Sequence, residues 1–240
     1  MYKRQEEDLA RAVYRRFPGP LTPEAGLVET CLASYGEEIT PGYWRLRPED
    51  DPQRRQEEVQ AVEDDLVALG RRLGYAVWRA PVIRTSEVSE PPCSSQSTPQ
   101  SVHPCREHTP WRPPRSSLLP AWRGYDVVWH EDGKAAYVFV VQSTARLGDV
   151  LALPVPSASA SGGAALPCLV IPGGRAALVD YKLRHNPLWR QAVTEGGWQF
   201  IKFRHLRRIV AAPSLTRHDL KRIVGLDPII ERDEAQIPLF

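Results

Sequence analysis

The stretch YDVVWHEDGKAAYVFVVQ, residues 125–142, decides how the rest of the sequence is interpreted. Residues 125–129 are rich in aromatic and β-branched side chains, and HEDG supplies the residues of a tight turn. Residues 136–142 are apolar enough for a central strand. The stretch therefore predicts a β-hairpin with Asp126 on its first strand and Gln142 at the end of its second strand.

The sequence before the hairpin predicts three helices. Residues 4–16 carry apolar side chains at helical spacing, and a second helix is expected at residues 23–35, with Thr22 as N-cap and Gly36 as terminator. The clearest helix covers residues 52–73, where valines and leucines repeat at steps of three and four. Acids precede bases along its outer face, which suits the helix dipole.

A short strand is predicted at residues 75–79, and residues 86–120 then break the pattern. Eight prolines and eight serines in this stretch predict a disordered insertion, because such a composition buries little apolar surface. A zinc site is the alternative, although the ligand spacing lacks the paired pattern of structural zinc sites. Its ligands would be Cys93, His103, Cys105 and His108.

Composition excludes few classes of function. The net charge of +2 over 240 residues favours no class of partner, and 42% hydrophobic residues suit one medium domain or two small ones. The four cysteines do not resemble a disulfide framework. Because the sequence contains no apolar run near the length of a membrane span and no signal-peptide pattern, we expect a cytoplasmic protein that does not contact membranes.

Basic residues are concentrated near the end of the chain. Residues 202–208, KFRHLRR, predict a helix whose Phe203, Leu206 and Val210 face the core while its arginines face outward. Clusters of this kind neutralise phosphates and release counterions. The alternative is a basic face that is solvated or paired with the acidic helix before the hairpin. The residues predicted to contact DNA are Lys202, Arg204, Arg207, Arg208 and Arg184.

The predicted elements in residues 52–202 run helix, three strands, helix and strand. This order resembles the αβββαβ core of the restriction-endonuclease-like, or PD-(D/E)xK, superfamily, and it implies an α/β fold. The implied organisation is an N-terminal helical region at residues 1–50, an α/β domain at residues 51–225 and a flexible tail at residues 226–240.

The superfamily resemblance implies an acid on the second strand and an E-x-K or similar pair on the third. These groups hold Mg²⁺ and activate water for phosphodiester hydrolysis. Asp126 stands at the acid position, whereas the third strand offers only Val140 and Gln142. Valine cannot bind Mg²⁺, and a neutral amide is a poor substitute for a carboxylate. For Asp126 alone, the alternative is an acid that caps a turn or pairs with Arg123 or Arg146.

The segment FVVQSTARLG is similar to the third strand and helix start of restriction-endonuclease-like domains attached to bacterial DNA methylase genes, with both glutamates replaced. The similarity extends to YRRFPGPLTP, WRLRPED and the GGW-x-F-x-KFRHLRR block. It implies a DNA-associated accessory module of a restriction-modification or defence system, with a degenerate metal site, no cofactor, and DNA and a methylase as partners.

Two other functions remain open from the sequence. A divergent Mg²⁺-dependent endonuclease would use Asp126 as its metal ligand, with Gln142 and Lys182 at the vestigial or migrated positions and Glu58, Glu63 or Asp149 recruited as a further carboxylate. A protein-interaction scaffold would bind an acidic partner on its basic face. The segment QIPLF also resembles the sliding-clamp-binding pentapeptide, which predicts clamp contacts by Gln236, Leu239 and Phe240.

Overall fold

A computed structural model describes residues 4–81, 122, 124–155 and 165–224. These ranges form a mixed α/β fold with eight α-helices and two β-sheets, which confirms the predicted class. None of the helices in them is both long and apolar enough to cross a membrane. The predicted insertion at 86–120 with its zinc alternative, and the tail at 226–240 with its clamp-binding residues, lie outside the described residues.

The larger sheet has five strands, which lie side by side in the order in which they follow one another along the chain. The second strand is antiparallel to the first and third, and the last two strands are parallel to the third. The strands are β4 (Ala76–Arg79), β5 (Val127–Glu131), β6 (Lys134–Val141), β7 (Leu166–Ile171) and β8 (Gln199–Lys202).

This topology brings the carboxyl ends of four strands and the start of β5 to one edge of the sheet. We call it the carboxyl edge, defined by Arg79, Asp126, Gln142, Gly173 and Lys202. The forty residues between 81 and 122 also leave and re-enter the described structure here, since the Ala80 amide donates to the Asp126 carbonyl at 2.8 Å.

The predicted hairpin is confirmed as β5 and β6. Its turn consists of Asp132 and Gly133, whose φ angles of 51° and 77° are those that a two-residue hairpin turn requires. The strands are shifted slightly from the predicted ranges, so that Asp126 and Gln142 lie just outside them. Both residues therefore belong to the carboxyl edge rather than to the interior of the sheet.

Helices cover both faces of the five-stranded sheet. One face of the sheet, which we call the α3 face, packs against α3 (Pro52–Arg72), α7 (Phe203–Ala211) and α8 (Arg217–Ile223). The core on this face includes Leu66, Trp129, Phe139, Ile201 and Leu206. The α5 face packs against α4 (Leu147–Leu151), α5 (Ala176–His185) and α6 (Pro187–Gly196), and its core includes Val138, Leu169, Ile171, Leu178 and Phe200.

Helix α3 approaches the hairpin closely at Gly70. The indole nitrogen of Trp129 donates to the Leu66 carbonyl at 3.1 Å, and a methyl group built on Gly70 would lie 2.6 Å from that nitrogen and 2.7 Å from Val77. Side chains pack too densely in protein interiors to absorb such an overlap. Glycine is therefore required here by the contact between helix and sheet.

We expect Gly70→Ala to lower the free energy of unfolding by about 1–3 kcal/mol, because the overlap outweighs the better helix propensity of alanine. Urea denaturation of the purified protein measures this effect. Gly148→Ala is the matched control, because a methyl group at Gly148 would lie 3.8 Å from Trp189, an ordinary van der Waals distance. A Gly70→Ala protein as stable as the control would contradict the packing argument.

The N-terminal unit contains helices α1 (Glu6–Arg16) and α2 (Ala25–Tyr35) and a small antiparallel sheet. This sheet corrects the prediction of a helical region, because its strands have the order β1-β3-β2. Many charged residues in GEEIT hid the alternating pattern of a strand, although Pro41 and Gly42 supply a turn. The strands are β1 (Arg4–Gln5), β2 (Gly36–Thr40) and β3 (Tyr43–Leu46).

The start of α2 also differs from the prediction. The N-cap is Glu24, whereas Thr22 ends the preceding turn and its hydroxyl donates to the Phe17 carbonyl at 2.8 Å. Thr22 is thus occupied by the end of the connection from α1. Gly36 ends the helix as predicted and begins β2.

A buried ion pair joins the N-terminal unit to the sheet domain. Arg175 is only 3% exposed, and its guanidinium donates to the Asp50 carboxylate, to Ser34 and, at 3.1 Å, to the Ser143 carbonyl. It also lies 3.7 Å above the centre of the Tyr35 ring. Arg175 therefore holds three parts of the chain together and does not belong to an exposed basic patch.

Candidate functional site

Asp126 lies at the start of β5 and satisfies backbone groups of its neighbours. Its main-chain amide donates to the Phe139 carbonyl at 2.9 Å, and its Oδ2 accepts from the Val141 amide at 2.6 Å. The carboxyl thus caps the end of β6 rather than a turn, while Arg123, one of the two arginines expected as its partner, lies outside the described residues.

Burial makes the charged form of Asp126 unfavourable. Desolvation raises the pKa of this carboxyl to about 6; the hydrogen bond from Val141 lowers it, the charge of Glu63 raises it, and Arg79 lowers it. The carboxyl is therefore partly protonated in weakly acidic solution. A strand-end acid held in this way at a sheet edge is unusual enough to mark a candidate site.

The cation beside Asp126 is Arg79, at the end of β4. Its Nε and Nη2 donate to Glu63 Oε2 at 3.1 and 2.8 Å, and its Nη1 donates to Asp64. The guanidinium therefore neutralises two carboxylates of α3 through a forked contact of the kind that arginine makes well. The two carboxylates of α3 at this end of the carboxyl edge therefore already have a cationic partner in Arg79.

The arrangement does not fit a Mg²⁺ site. Mg²⁺ requires near-octahedral oxygen ligands, and usually one or two carboxylates provide them. The Asp126 carboxyl accepts from the Val141 amide and has its pKa raised to about 6 by desolvation, while Glu63 pairs with Arg79. Within the residues that the structure describes, no three His, Cys, Asp or Glu side chains are placed to hold a metal ion.

The other residues predicted for catalysis, Gln142 and Lys182, make hydrogen bonds of their own. Gln142 continues the pairing of β6 with β7, since its amide donates to the Val170 carbonyl at 2.9 Å, and its buried Oε1 has no hydrogen-bond partner among the residues that the structure describes. Lys182 on α5 donates from Nζ to the Ala145 carbonyl at 2.6 Å. Desolvation lowers the pKa of Lys182, against the opposing effect of Cys31.

The carboxylates proposed for recruitment are also dispersed. Glu58 pairs with Arg207 at 3.3 Å, Glu63 pairs with Arg79, and Asp149 is exposed on α4. Each of the first two already has a cationic partner within this chain. Among the described residues, Glu63 is a carboxylate that interacts electrostatically with Asp126, and it is already paired with Arg79.

Helix α7 is amphipathic, as predicted. Phe203, Leu206 and Ile209 are buried, whereas Arg204, Arg207 and Arg208 are exposed; the third buried position is therefore Ile209 and not Val210, which is half-buried. The helix follows β8 directly, so that its first turn lies at the carboxyl edge. Arg204 is next to the end of β7, with its Nε 3.9 Å from a methyl group built on Gly173.

Two residues of the predicted basic surface lie elsewhere. Lys202 is only 5% exposed; it is the last residue of the edge strand β8, where it pairs with Ile171, and it passes directly into α7. Arg184 is exposed but lies on α5, which covers the opposite face of the sheet from α7, and it pairs with Asp180 one turn earlier. The surface that remains consists of the three arginines of α7.

Sequence reasoning missed Arg79, the one basic residue of β4. A signal was present, because a base at the end of a strand follows the acidic run EDD on the preceding helix, and antiparallel packing of the two elements brings them together.

Comparisons of this chain with known protein families, with curated proteins and with solved structures found no match.

Proposed function

We propose that this protein is a DNA-binding accessory module with a restriction-endonuclease-like core and no Mg²⁺-dependent nuclease activity, acting in a bacterial restriction-modification or defence system. The observation that carries the proposal is α7, an amphipathic helix that presents Arg204, Arg207 and Arg208 outward while its other side is buried. Its first turn lies at the carboxyl ends of parallel strands, where ligands bind in open α/β sheets.

The order of elements supports the restriction-endonuclease-like core. From α3 to β7 the chain runs helix, three strands, short helix and strand, and the first three strands form an antiparallel set that the fourth joins in parallel. Asp126 lies at the start of the second of these strands. This order is consistent with the αβββαβ core, and the presence of Val140 and Gln142 at the third-strand positions is the reason that we expect no cleavage.

Arginine is suited to phosphate recognition because its planar guanidinium can bind two phosphate oxygens at once. Three such groups on neighbouring turns of one helix can track a nucleic-acid backbone without reading its sequence. Glu58 already neutralises part of the charge on Arg207. We expect all three exposed arginines to contribute phosphate contacts.

Replacing Arg204 and Arg208 by glutamine should weaken binding to duplex DNA about tenfold at roughly 100 mM salt and should reduce the slope of log K against log salt by about 2. Fluorescence anisotropy over a salt series gives both quantities. Glu58→Gln should strengthen binding, because it releases Arg207 from its ion pair.

The matched control for this double variant is Arg184→Gln with Arg190→Gln. It removes two exposed arginines from helices that cover the α5 face of the sheet. Its affinity should equal that of the wild-type protein. Binding that is tight but insensitive to salt, or a double α7 variant with unchanged affinity, would contradict the proposal.

A divergent endonuclease is the second candidate, and one observation favours it. Asp126 and Glu63 interact electrostatically, so two carboxyls do lie in the same neighbourhood of the carboxyl edge. Incubation of supercoiled plasmid with the purified protein and Mg²⁺ or Mn²⁺ separates the two functions. Cleavage that Asp126→Ala abolishes would establish the nuclease, whereas intact plasmid is the result that the accessory-module proposal expects.

A further inference from the structure

The turn that joins β7 to α5 lies at the carboxyl edge and begins with Pro172, Gly173 and Gly174. Gly174 is exposed and Gly173 is half-buried, so the main chain of this turn reaches the surface. Neither glycine has the positive φ angle that would require glycine on conformational grounds. Side chains are thus missing at this point of the surface although the backbone would accept them.

Two arginines from separate parts of the chain border this turn. The Nη1 atom of Arg47 lies 3.3 Å from the position that a methyl group on Gly174 would take, and the Nε atom of Arg204 lies 3.9 Å from the corresponding position on Gly173. Because consecutive Cα atoms are about 3.8 Å apart, these two nitrogen atoms are separated by at most about 14 Å. Arg47 follows β3, whereas Arg204 belongs to the first turn of α7. The N-terminal unit thus adds a guanidinium to the carboxyl edge, close to the α7 arginines.

Arg47 is held in place by neutral groups. Its Nε donates to the Gly36 carbonyl and its Nη2 donates to the Ala33 carbonyl, each at 2.9 Å, at the end of α2. These hydrogen bonds fix the orientation of the guanidinium, but carbonyl acceptors do not cancel its charge. Its remaining nitrogen, Nη1, is the atom beside Gly174. An arginine that is oriented in advance loses less side-chain freedom when it binds an anion.

Positive charge accumulates around this turn. Arg175 comes directly after Gly174; desolvation lowers the pKa of Arg175, and the positive charge of Arg47 lowers it further. The two guanidiniums therefore repel each other. Asp50 pairs with Arg175 beneath the surface, and the charge of Glu49 also acts on Arg175, where it raises the pKa. An anion bound over the turn would relieve the repulsion that these carboxylates leave.

We propose that Arg47 and the Gly173–Gly174 turn extend the DNA-binding surface of α7 into the N-terminal unit, so that backbone phosphates lie over the turn and contact both Arg47 and Arg204. The inference rests on the DNA binding proposed for α7. Phosphates of one strand follow one another at about 3.4 Å of rise, so two arginines at most about 14 Å apart reach nearby phosphates of the same strand. Glycine suits the turn because it allows another backbone to approach closely.

Arg47→Gln should weaken binding of the full chain to duplex DNA about threefold at roughly 100 mM salt and reduce the slope of log K against log salt by about 1, because one phosphate contact is lost. Fluorescence anisotropy over a salt series measures both quantities. Arg47→Lys keeps the charge and should retain the slope. If Arg47 only holds the end of α2, Arg47→Gln lowers the melting temperature and leaves the slope unchanged, and that result would overturn the proposal.

Gly174→Asp and Gly174→Asn test the same surface without removing the hydrogen bonds of Arg47. The two new side chains have nearly the same shape, and the exposed position accepts either of them once the Arg47 guanidinium yields by a fraction of an ångström. Gly174→Asp should bind DNA about tenfold more weakly than Gly174→Asn, because its carboxylate pairs with Arg47 and repels phosphate. Equal affinities of the two variants would contradict a phosphate path over the turn.

Arg217→Gln is the matched control, since Arg217 pairs with Glu131 beside the hairpin turn, at the opposite edge of the sheet. Its affinity and salt slope should equal those of the wild-type protein. Arg204→Gln with Arg208→Gln, measured alongside, separates this inference from the function on which it rests. Weaker binding by that double variant with no effect of Arg47→Gln would overturn the inference and leave DNA binding by α7 intact. A wild-type protein without salt-dependent binding would overturn both.

Discussion

Arg175→Met should lower the free energy of unfolding by about 3–5 kcal/mol, because it leaves the Asp50 carboxylate buried without its cation. Both side chains are almost fully buried, so that water cannot replace the lost partner. The variant also removes the hydrogen bonds to Ser34 and Ser143 and the contact with the Tyr35 ring. Urea denaturation followed by circular dichroism measures the change.

The double variant Arg175→Met with Asp50→Leu distinguishes the cost of a stranded charge from the worth of the ion pair. Buried ion pairs are often replaced by apolar residues with little loss, so the second substitution should recover most of the stability. Arg207→Met, which breaks an exposed pair with Glu58, should change stability by less than about 1 kcal/mol. A loss of that small size for Arg175→Met would contradict its joining role.

Asp126→Asn should stabilise the protein at neutral pH by up to about 3 kcal/mol, because asparagine keeps an acceptor for the Val141 amide and removes a charge that burial disfavours. The pKa of this carboxyl is about 6 in the folded chain and about 4 in an unfolded one. A carboxyl with a raised pKa favours folding fully below the unfolded value, and this contribution is lost as pH rises through the folded value.

The melting temperature of the Asp126→Asn variant should therefore exceed that of the wild-type protein above about pH 6, and the two should converge below about pH 4. Thermal denaturation across this range tests the sign. Asp126→Ala should gain less, since Val141 loses its acceptor, and Asp149→Asn, at an exposed position, should behave like the wild type. An Asp126→Asn protein that is less stable at neutral pH would show that the fold uses the charge, which would favour the nuclease candidate.

The elements that the sequence predicted well are those with complete local signals. The HEDG sequence supplies residues that favour the tight turn of the hairpin. Helix α3 has an unbroken apolar stripe and an N-cap, Asp51, whose side chain accepts from the amides of Gln53 and Arg54. Such signals lie within a few residues of one another. These local patterns were therefore sufficient to predict the hairpin and α3.

Other features depend on contacts between distant parts of the chain. Asp50 and Arg175 are 125 residues apart, and neither residue differs in sequence from an ordinary surface charge. Lys202 stands where a strand passes directly into a helix, so that its burial follows from its place in the sheet and not from the basic pattern around it. Arg79 is a different case, because its partners lie only 15 and 16 residues earlier on α3 and the acidic run there was a usable signal.

The candidate site also has a part that could be predicted from local sequence and a part that depends on distant contacts. The position of Asp126 at a strand start was predictable from the hairpin, and so was the outward direction of the α7 arginines from their spacing. The state of the Asp126 carboxyl was not, because desolvation and the charges of Glu63 and Arg79 arise only when β4, β5 and α3 come together.

The strands on either side of residues 82–121 are immediate antiparallel neighbours, which elsewhere in proteins are often joined by a turn of two residues. A segment placed there is an elaboration of a hairpin connection, and the sheet needs none of it to set its register. Because each doubling of a flexible loop adds only about 0.6 kcal/mol of closure entropy, this point of the chain can gain or lose length at small thermodynamic expense. The described residue next to its start, Ala80, is hydrogen-bonded to Asp126, so a change of length at this connection begins beside the candidate site.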